Sequence, residues 1–299
     1  MSLGIGIDLG GTSIKGAIFD LGRGELCERA TLPTWTEEEG DDPAGFVGRV
    51  GELVDRLESG TGRADLLGFS APGLAARDGS RIDFMPGRLE ALEGLEWAGI
   101  LEREVRVIND AHAALMGEAW QGAARELRNV FMLTLGTGVG GAVLANGKLL
   151  EGHLGRAGHL GHISLDYRGE GDICGTPGSL EAMVGNYRIG ERSGDRFEST
   201  HAVVEAMKSG DESAAAIWDE SMKALAAGIA SLINVLDPEA VLIGGGISRA
   251  WDEIRPAIER YLESFEWRPG GRAVDVRRAE LGEWAGTYGA VYAAMEQAI

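Results

Sequence analysis

A strand-like apolar run, a glycine turn and a second strand occur twice in this chain, the second copy 126 residues after the first, from Gly10 to Gly136. Leu3–Leu9 passes through Gly10-Gly11-Thr12 into Ile14–Asp20, and Val130–Leu135 passes through a glycine-rich turn into Gly141–Ala145. The second copy ends in Asn146-Gly147, a strong hairpin signal, before Lys148–Leu150. This repeat predicts an internal duplication with a cleft between two halves. Further strands are expected at Leu26–Thr31, Leu66–Ser70, Val105–Ile108, Val241–Ile243 and Val274–Arg277. Helices are expected over Pro43–Glu58, where Phe46, Val47, Val50, Leu53, Val54 and Leu57 keep a three-to-four spacing, and over Ala111–Gln121, Ser213–Leu236, Arg249–Phe265 and Tyr288–Gln297. Alternating strands and helices make the fold class α/β. No linker separates the halves, so the expected division is 1–111, completed by the C-terminal helix 286–299, and 112–285, with a hinge near residue 111.

Composition narrows the partners. Apolar residues form 44% and charged residues 25% of the 299, the balance of a globular chain long enough for two cores. Glycine, at 47 residues, has roughly twice its usual share. No collagen period or Gly/Ser linker absorbs it, so it must serve turns and close backbone approach. A net charge of −19 argues against nucleic acid and anionic lipid, which both favour clustered Lys and Arg. An anionic cosubstrate would then need local donors and a metal cation. Cys27 and Cys174 make no disulfide framework. The chain starts without a signal core, and no apolar run nears the ~20 residues that cross a bilayer. A cytoplasmic setting is expected.

Gly10, Gly11 and Thr12 offer bare amides and a hydroxyl to a phosphate, and Asp8 at the strand end is placed to hold Mg²⁺, directly or through water. Lys15 can add charge there, although strand alternation leaves its direction open. Gly136, Thr137 and Gly138 begin a run to Gly141 that also satisfies G-x-G-x-x-G. A dinucleotide site requires a helix after those glycines. Here Ala142–Ala145 and an Asn-Gly hairpin follow, so a second phosphate turn with Thr137 as hydroxyl donor fits better. Gly244, Gly245 and Gly246 do lead from strand to helix, where an open α/β sheet binds nucleotide and where adenine and ribose can lie on bare backbone. Asn109-Asp110 follows a buried strand and opens a helix. Either residue suits an N-cap, and Asp110 also suits a proton acceptor in phosphoryl transfer.

These ordered segments resemble the ROK family of bacterial sugar kinases and repressors, within the actin-like ATPase (ribonuclease H-like) fold, over essentially the whole chain. The resemblance implies that Asp8–Thr12 and Leu135–Gly141 are the two phosphate motifs and that Gly244–Gly246 lies near adenosine. It implies that Asp110 is the catalytic base and that Asn109 bonds sugar hydroxyls. Gly158–His162 and Gly175–Glu181 match the sugar-binding and cysteine-rich segments, so His159, His162, Glu181 and Gly73 count as substrate-binding residues.

Two departures stand out. The family usually has Glu-x-Gly-His where this chain has His159-Leu160-Gly161-His162, which exchanges a carboxylate acceptor for an imidazole. The family's structural zinc site uses a histidine and a Cys-x-Cys-Gly-x-x-Gly-Cys stretch. Here that stretch reads Asp172 to Ser179 and keeps only Cys174 beside His162. Two ligands do not close a tetrahedral site, so no structural zinc is expected, the loop should be held by packing, and His162 should be free for a sugar hydroxyl. A His159–His162 metal pair lacks further soft ligands.

The remaining chemistry-bearing residues read more plainly. His112, His153 and His201 match no role and are expected at surface or local structural positions; Glu37, Glu38, Glu39, Asp41 and Asp42 read as a solvated loop. Trp97, Trp120 and Trp218 are expected in core or interface packing.

The reading is an ATP-dependent kinase, glucose-like by default, using Mg²⁺ and forming a homodimer as the resemblance implies. A kinase for an N-acetylated amino sugar, or a fructokinase, is the alternative that the His159 change keeps open. A sugar-sensing regulator would need a DNA-binding segment ahead of Asp8 and is disfavoured by the acidic charge. A silent sugar-binding protein would leave Asp110 and both phosphate turns without purpose.

Overall fold

The computed structural model describes residues 2–35, 43–85, 89 and 92–297. The acidic stretch from Glu37 to Asp42 lies outside the described residues. Packing divides the chain into two units, one of Met1–Glu126, Glu151–Ala157 and Glu280–Ile299, the other of Leu127–Leu150 and Gly158–Ala279. The first division thus falls after residue 126, where the sequence reading drew it at 111.

In the first unit the buried apolar run Leu3–Leu9 is β1, paired antiparallel with β2 (Ser13–Asp20), which pairs with β3 (Glu25–Pro33). Next come α1 (Pro43–Thr61), β4 (Leu66–Ala71), the short hairpin β5 (Leu74–Ala75) and β6 (Ile82–Phe84), α2 (Trp97–Leu101), β7 (Arg106–Asn109) and α3 (Asp110–Gln121). The sheet order is β3-β2-β1-β4-β7, with β4 parallel to both β1 and β7. Phe46, Val50, Leu53 and Leu57 of α1 are fully buried, the one-sided stripe of a helix lying on a sheet.

The second unit repeats that order. Its strands are β8 (Val130–Leu135), β9 (Val139–Ala145) and β10 (Lys148–Leu149). After α4 (Leu180–Val184), α5 (Ile189–Ser193), α6 (Thr200–Lys208) and α7 (Glu212–Leu236) come β11 (Ala240–Gly244), α8 (Trp251–Phe265) and β12 (Asp275–Arg278). The sheet reads β10-β9-β8-β11-β12, three antiparallel strands followed by two parallel ones. Asp211 caps α7 by accepting from the Ala214 amide, and Trp218, Met222, Leu225 and Ile229 bury its inner face.

The last helix, α9 (Ala285–Gln297), belongs to the first unit. It lies so close to the first sheet that a Cβ at Gly68 would stand 1.8 Å from the Ala290 carbonyl oxygen. Its own Gly289 faces α3, where a Cβ would stand 1.6 Å from the Ala113 oxygen. Much of the glycine surplus is therefore consumed by backbone-to-backbone packing. The fully buried Glu118 of α3 accepts from the amides of Ala123 (2.7 Å) and Leu281 (2.8 Å), tying the end of α3 to the segment that leads into α9.

Candidate active site

In the first unit, β1 carries Asp8 near its C-terminal end, β7 ends on Asn109 and α3 opens with Asp110, with β4 lying between the two strands. Asn109 is the N-cap of α3: its Oδ1 accepts from the amides of Ala111 (3.0 Å) and His112 (3.2 Å), while its Nδ2 donates to the Gly73 carbonyl at 2.9 Å. One buried amide side chain thus starts the helix and joins two of the expected sugar-binding residues. Asp110 is the first residue of the helix, its Oδ1 accepting from the Ala111 amide at 2.8 Å. Although part of its surface is open to solvent, the protein packed around Asp110 and the negative charge of Asp8 push its carboxyl up to about 6.

Asp8 is also raised by burial, opposed by the Ser70 hydroxyl, which donates to its Oδ1 at 2.7 Å, and by the charge of Lys15. Strand register settles the direction that alternation left open, because Lys15 stands opposite Asp8. Its ammonium is bound in turn to Glu283, 2.9 Å from Oε2. The adjoining turn holds its carbonyl edge against the protein. Thr34, fully buried, donates its hydroxyl to the Gly10 oxygen at 2.6 Å and its amide to the Thr12 oxygen at 3.1 Å. Gly11 and Thr12 remain exposed. Occupied carbonyls and exposed amides are what a phosphate needs from a turn.

The second unit builds its turn the same way with other partners. The Gly136 and Thr137 carbonyls accept from the amides of Asn186 (3.0 Å) and Tyr187 (2.9 Å), and Gly138 accepts from Gly136 at 2.9 Å. Thr137 is exposed. Glu181, buried in α4, accepts from the Val139 amide at 2.9 Å through Oε2. Its Oε1 is buried without a partner among the described residues. Gly245 closes on the end of β8 at φ 82°, where a Cβ would stand 2.3 Å from the Leu135 oxygen, so the expected adenosine turn abuts the second glycine turn. Gly244 ends β11 and Gly246 opens the helical turn ahead of α8.

His159 is half-buried beside the helical turn Leu160–His162. His162 corrects the expectation of a free imidazole. Its Nδ1 lies 2.7 Å from Asp172 Oδ2 and its Nε2 lies 3.6 Å from Cys174 Sγ. Asp172 Oδ1 accepts from the amides of Cys174 (2.9 Å) and Thr176 (3.0 Å). These bonds hold the Asp172 carboxyl below its ordinary range, whereas burial and the charges of Asp172 and Glu181 push the Cys174 thiol up. The third group that zinc chemistry would look for, Asp172, was hidden from the cysteine pattern because it is not a cysteine. His162, Asp172 and Cys174 bring one ligand atom each to within 4.8 Å of one another, a group of three where the sequence reading counted two. Three groups already bonded to one another still fall short of the four ligands of a structural zinc.

Of the other expectations, His112 is buried, with Nε2 2.9 Å from the Ala157 oxygen, while His153 and His201 are exposed. Trp97 and Trp218 are core residues, and Trp120 stacks with Tyr292. Thr34, Ser70, Asn186 and Tyr187 went unnoticed in the sequence because each acts through a backbone or hydroxyl contact that no motif spacing marks.

The profile of the ROK family matches residues 4–297. A glucokinase of Halalkalibacterium halodurans is 30% identical over 98% of this chain and 95% of its own length. The crystal structure of a ROK hexokinase from Thermus thermophilus superposes with a TM-score of 0.83 at 30% identity, covering 99% of each chain. A ROK family glucokinase from Streptomyces griseus, solved with glucose and AMPPNP, gives 0.78 at 28% identity over 99% of this chain and 100% of that one. A profile match from end to end, relatives covered along nearly their full length and two glycine turns folded on one plan lead to a single conclusion: this chain belongs to the ROK family.

Proposed function

We propose that the protein is an ATP-dependent sugar kinase, glucose-like in its acceptor, with Asp110 as general base. A sugar hydroxyl oxygen attacks the γ-phosphorus, the bond to the β-phosphate oxygen breaks, ADP leaves, and the hydroxyl proton passes to Asp110. The observation that carries this reading is Asp110 itself: a solvent-reachable carboxyl at the start of α3, raised to about 6, beside an asparagine whose orientation is fixed at both ends of its amide. A base with that affinity is ionised at neutral pH yet still holds a proton well enough to accept one.

Asn109 and Glu181 would receive sugar hydroxyls, and the two turns with Gly244–Gly246 would receive the nucleotide. Asp8 and Asp110 are two carboxyls whose charged forms disfavour one another. That donor set fits a divalent cation, and Asp8 would hold Mg²⁺, which supplies charge neutralisation at the phosphates. A homodimer in the cytoplasm, with neither nucleic acid nor membrane as partner, completes the proposal; no described helix is long and apolar enough to cross a membrane.

The test is a coupled ADP-release screen over common hexoses and N-acetylated amino sugars. Turnover with glucose, reduced about 10²–10⁴-fold in Asp110→Asn, supports the reading. Turnover retained in that variant removes Asp110 as base, and turnover only with an amino sugar moves the acceptor assignment.

A further inference from the structure

Glu181 touches more than a sugar subsite. Its Oε2 accepts from Val139 N at 2.9 Å, and the same oxygen occupies the space of a Gly138 Cβ, 2.1 Å from where that atom would stand. The residues that follow α4 bond to the same turn, Asn186 N to the Gly136 oxygen and Tyr187 N to the Thr137 oxygen. Gly185, which follows α4, packs on Thr137 and Gly138, and its carbonyl accepts from the half-buried Arg192 guanidinium at 3.0 Å. The turn is therefore mounted on α4 and its C-terminal extension, and Glu181 is the carboxylate that the described contacts place against it.

This leaves a carboxylate pressed against a turn proposed for phosphate, with one oxygen bonded and the other, Oε1, buried without a partner among the described residues. Like charges at such range repel, more so where water is excluded. A hydroxyl donating to Oε1 would satisfy the orphaned acceptor and draw charge away from Oε2. We propose that Glu181 is a positioning residue coupling the two substrates: a sugar hydroxyl on Oε1 steadies the Val139 contact of Oε2 and readies the turn 136–139 for nucleotide phosphate. The inference rests on the kinase reading for its first half, and on the Glu181–Val139–Gly138 geometry alone for its second. Coupling of this kind is reciprocal, so nucleotide should tighten sugar by the same factor.

Two variants test it, with the Mg²⁺ complex of a non-hydrolysable ATP analogue and glucose as probes and titration calorimetry as readout. In the wild type, saturating glucose should tighten analogue binding at least about fivefold, within the usual range of coupling. Glu181→Gln keeps an oxygen for Val139 N but puts an NH₂ where Oε1 stood. It should bind analogue without sugar as well as the wild type or better, and glucose should then change that affinity less than about twofold. Gly138→Ala displaces the carboxyl end of Glu181, so glucose affinity measured without nucleotide should fall about tenfold, whereas Gly51→Ala on α1, which meets nothing within 4 Å, should leave that affinity unchanged.

A Glu181→Gln protein with wild-type coupling, or a Gly138→Ala protein with wild-type glucose affinity, overturns the proposal. A wild type that binds the analogue but none of the screened sugars sinks the kinase reading and the coupling together. Sugar binding with coupling intact in Glu181→Gln sinks the coupling alone.

Discussion

The charge of Asp8 bears on Asp110, and together with the surrounding protein it holds the Asp110 carboxyl at about 6, above the ordinary value of 3.8. A base must be ionised to act, so kcat/KM should rise with pH through about 6 and level off above it. Asp8→Asn removes one of the two causes. Its residual activity should therefore show a lower apparent pKa, read from the pH profile at fixed ionic strength; an unmoved profile would detach the observed limb from Asp110.

The same raised pKa has a stability consequence. Between the unfolded value near 3.8 and the folded value near 6, the native state binds the extra proton, so stability falls as pH rises across that window. Above it, the ionised Asp110 is a standing destabilisation. Asp110→Asn should accordingly melt higher than the wild type at pH 8, with the gain fading below about pH 4. A lower melting temperature at pH 8 would argue that Asp110 is principally a helix-start residue.

Asp172 makes the loop around His162 an acid-sensitive one. Its folded pKa is depressed, so the stability it contributes is present above its unfolded pKa and is lost as pH falls through the lower folded value. Asp172→Ala strips the acceptor from the part-buried loop amides of Cys174 and Thr176 and should cost roughly 1–2 kcal/mol in chemical denaturation. Purified protein should carry far less than one zinc per chain by elemental analysis, and a chelator should leave the melting temperature in place. Stoichiometric zinc would reverse the assignment.

Glu118 predicts a purely structural effect. Removing it in Glu118→Ala leaves the amides of Ala123 and Leu281 without their acceptor and opens a cavity, an expected loss of about 2–4 kcal/mol. Denaturant midpoints for this variant and Glu118→Gln, which keeps one acceptor oxygen, should rank alanine below glutamine below wild type.

At Gly245, a side chain meets both a positive φ and the Leu135 carbonyl. Gly245→Ala should raise the KM for ATP at least tenfold by displacing the turn, while Gly246→Ala, with open space at its Cβ, should change it far less. Equal effects would move the adenosine contact away from Gly245.

The strands that mattered most were readable because they are buried on both faces: Leu3–Leu9 holds Leu and Ile between glycines up to Asp8, and Val130–Leu135 is apolar but for Thr134. Helix α1 announced itself through six spaced apolar residues. Helix α4, at five residues, is too short for any period to register, so the mount of the second turn was invisible although Glu181 itself was named. Lys15 was undecidable until register paired it with Asp8. His162 was misjudged because its partner, Asp172, lies in a loop whose closure is tertiary. Thr34 was missed for the same reason, since nothing local tells a threonine at a strand end that it will receive two carbonyls of a distant turn.

Helix α9 sits against strands made from the first 71 residues, at distances that admit only glycine. On a translating ribosome those strands emerge before α9 and wait for the helix that covers them. At about 5–20 residues per second, that wait lasts some tens of seconds. The second unit, whose residues lie between, is fully synthesised before α9 leaves the exit tunnel. The first sheet should thus be sealed only after the residues of the second unit have been made.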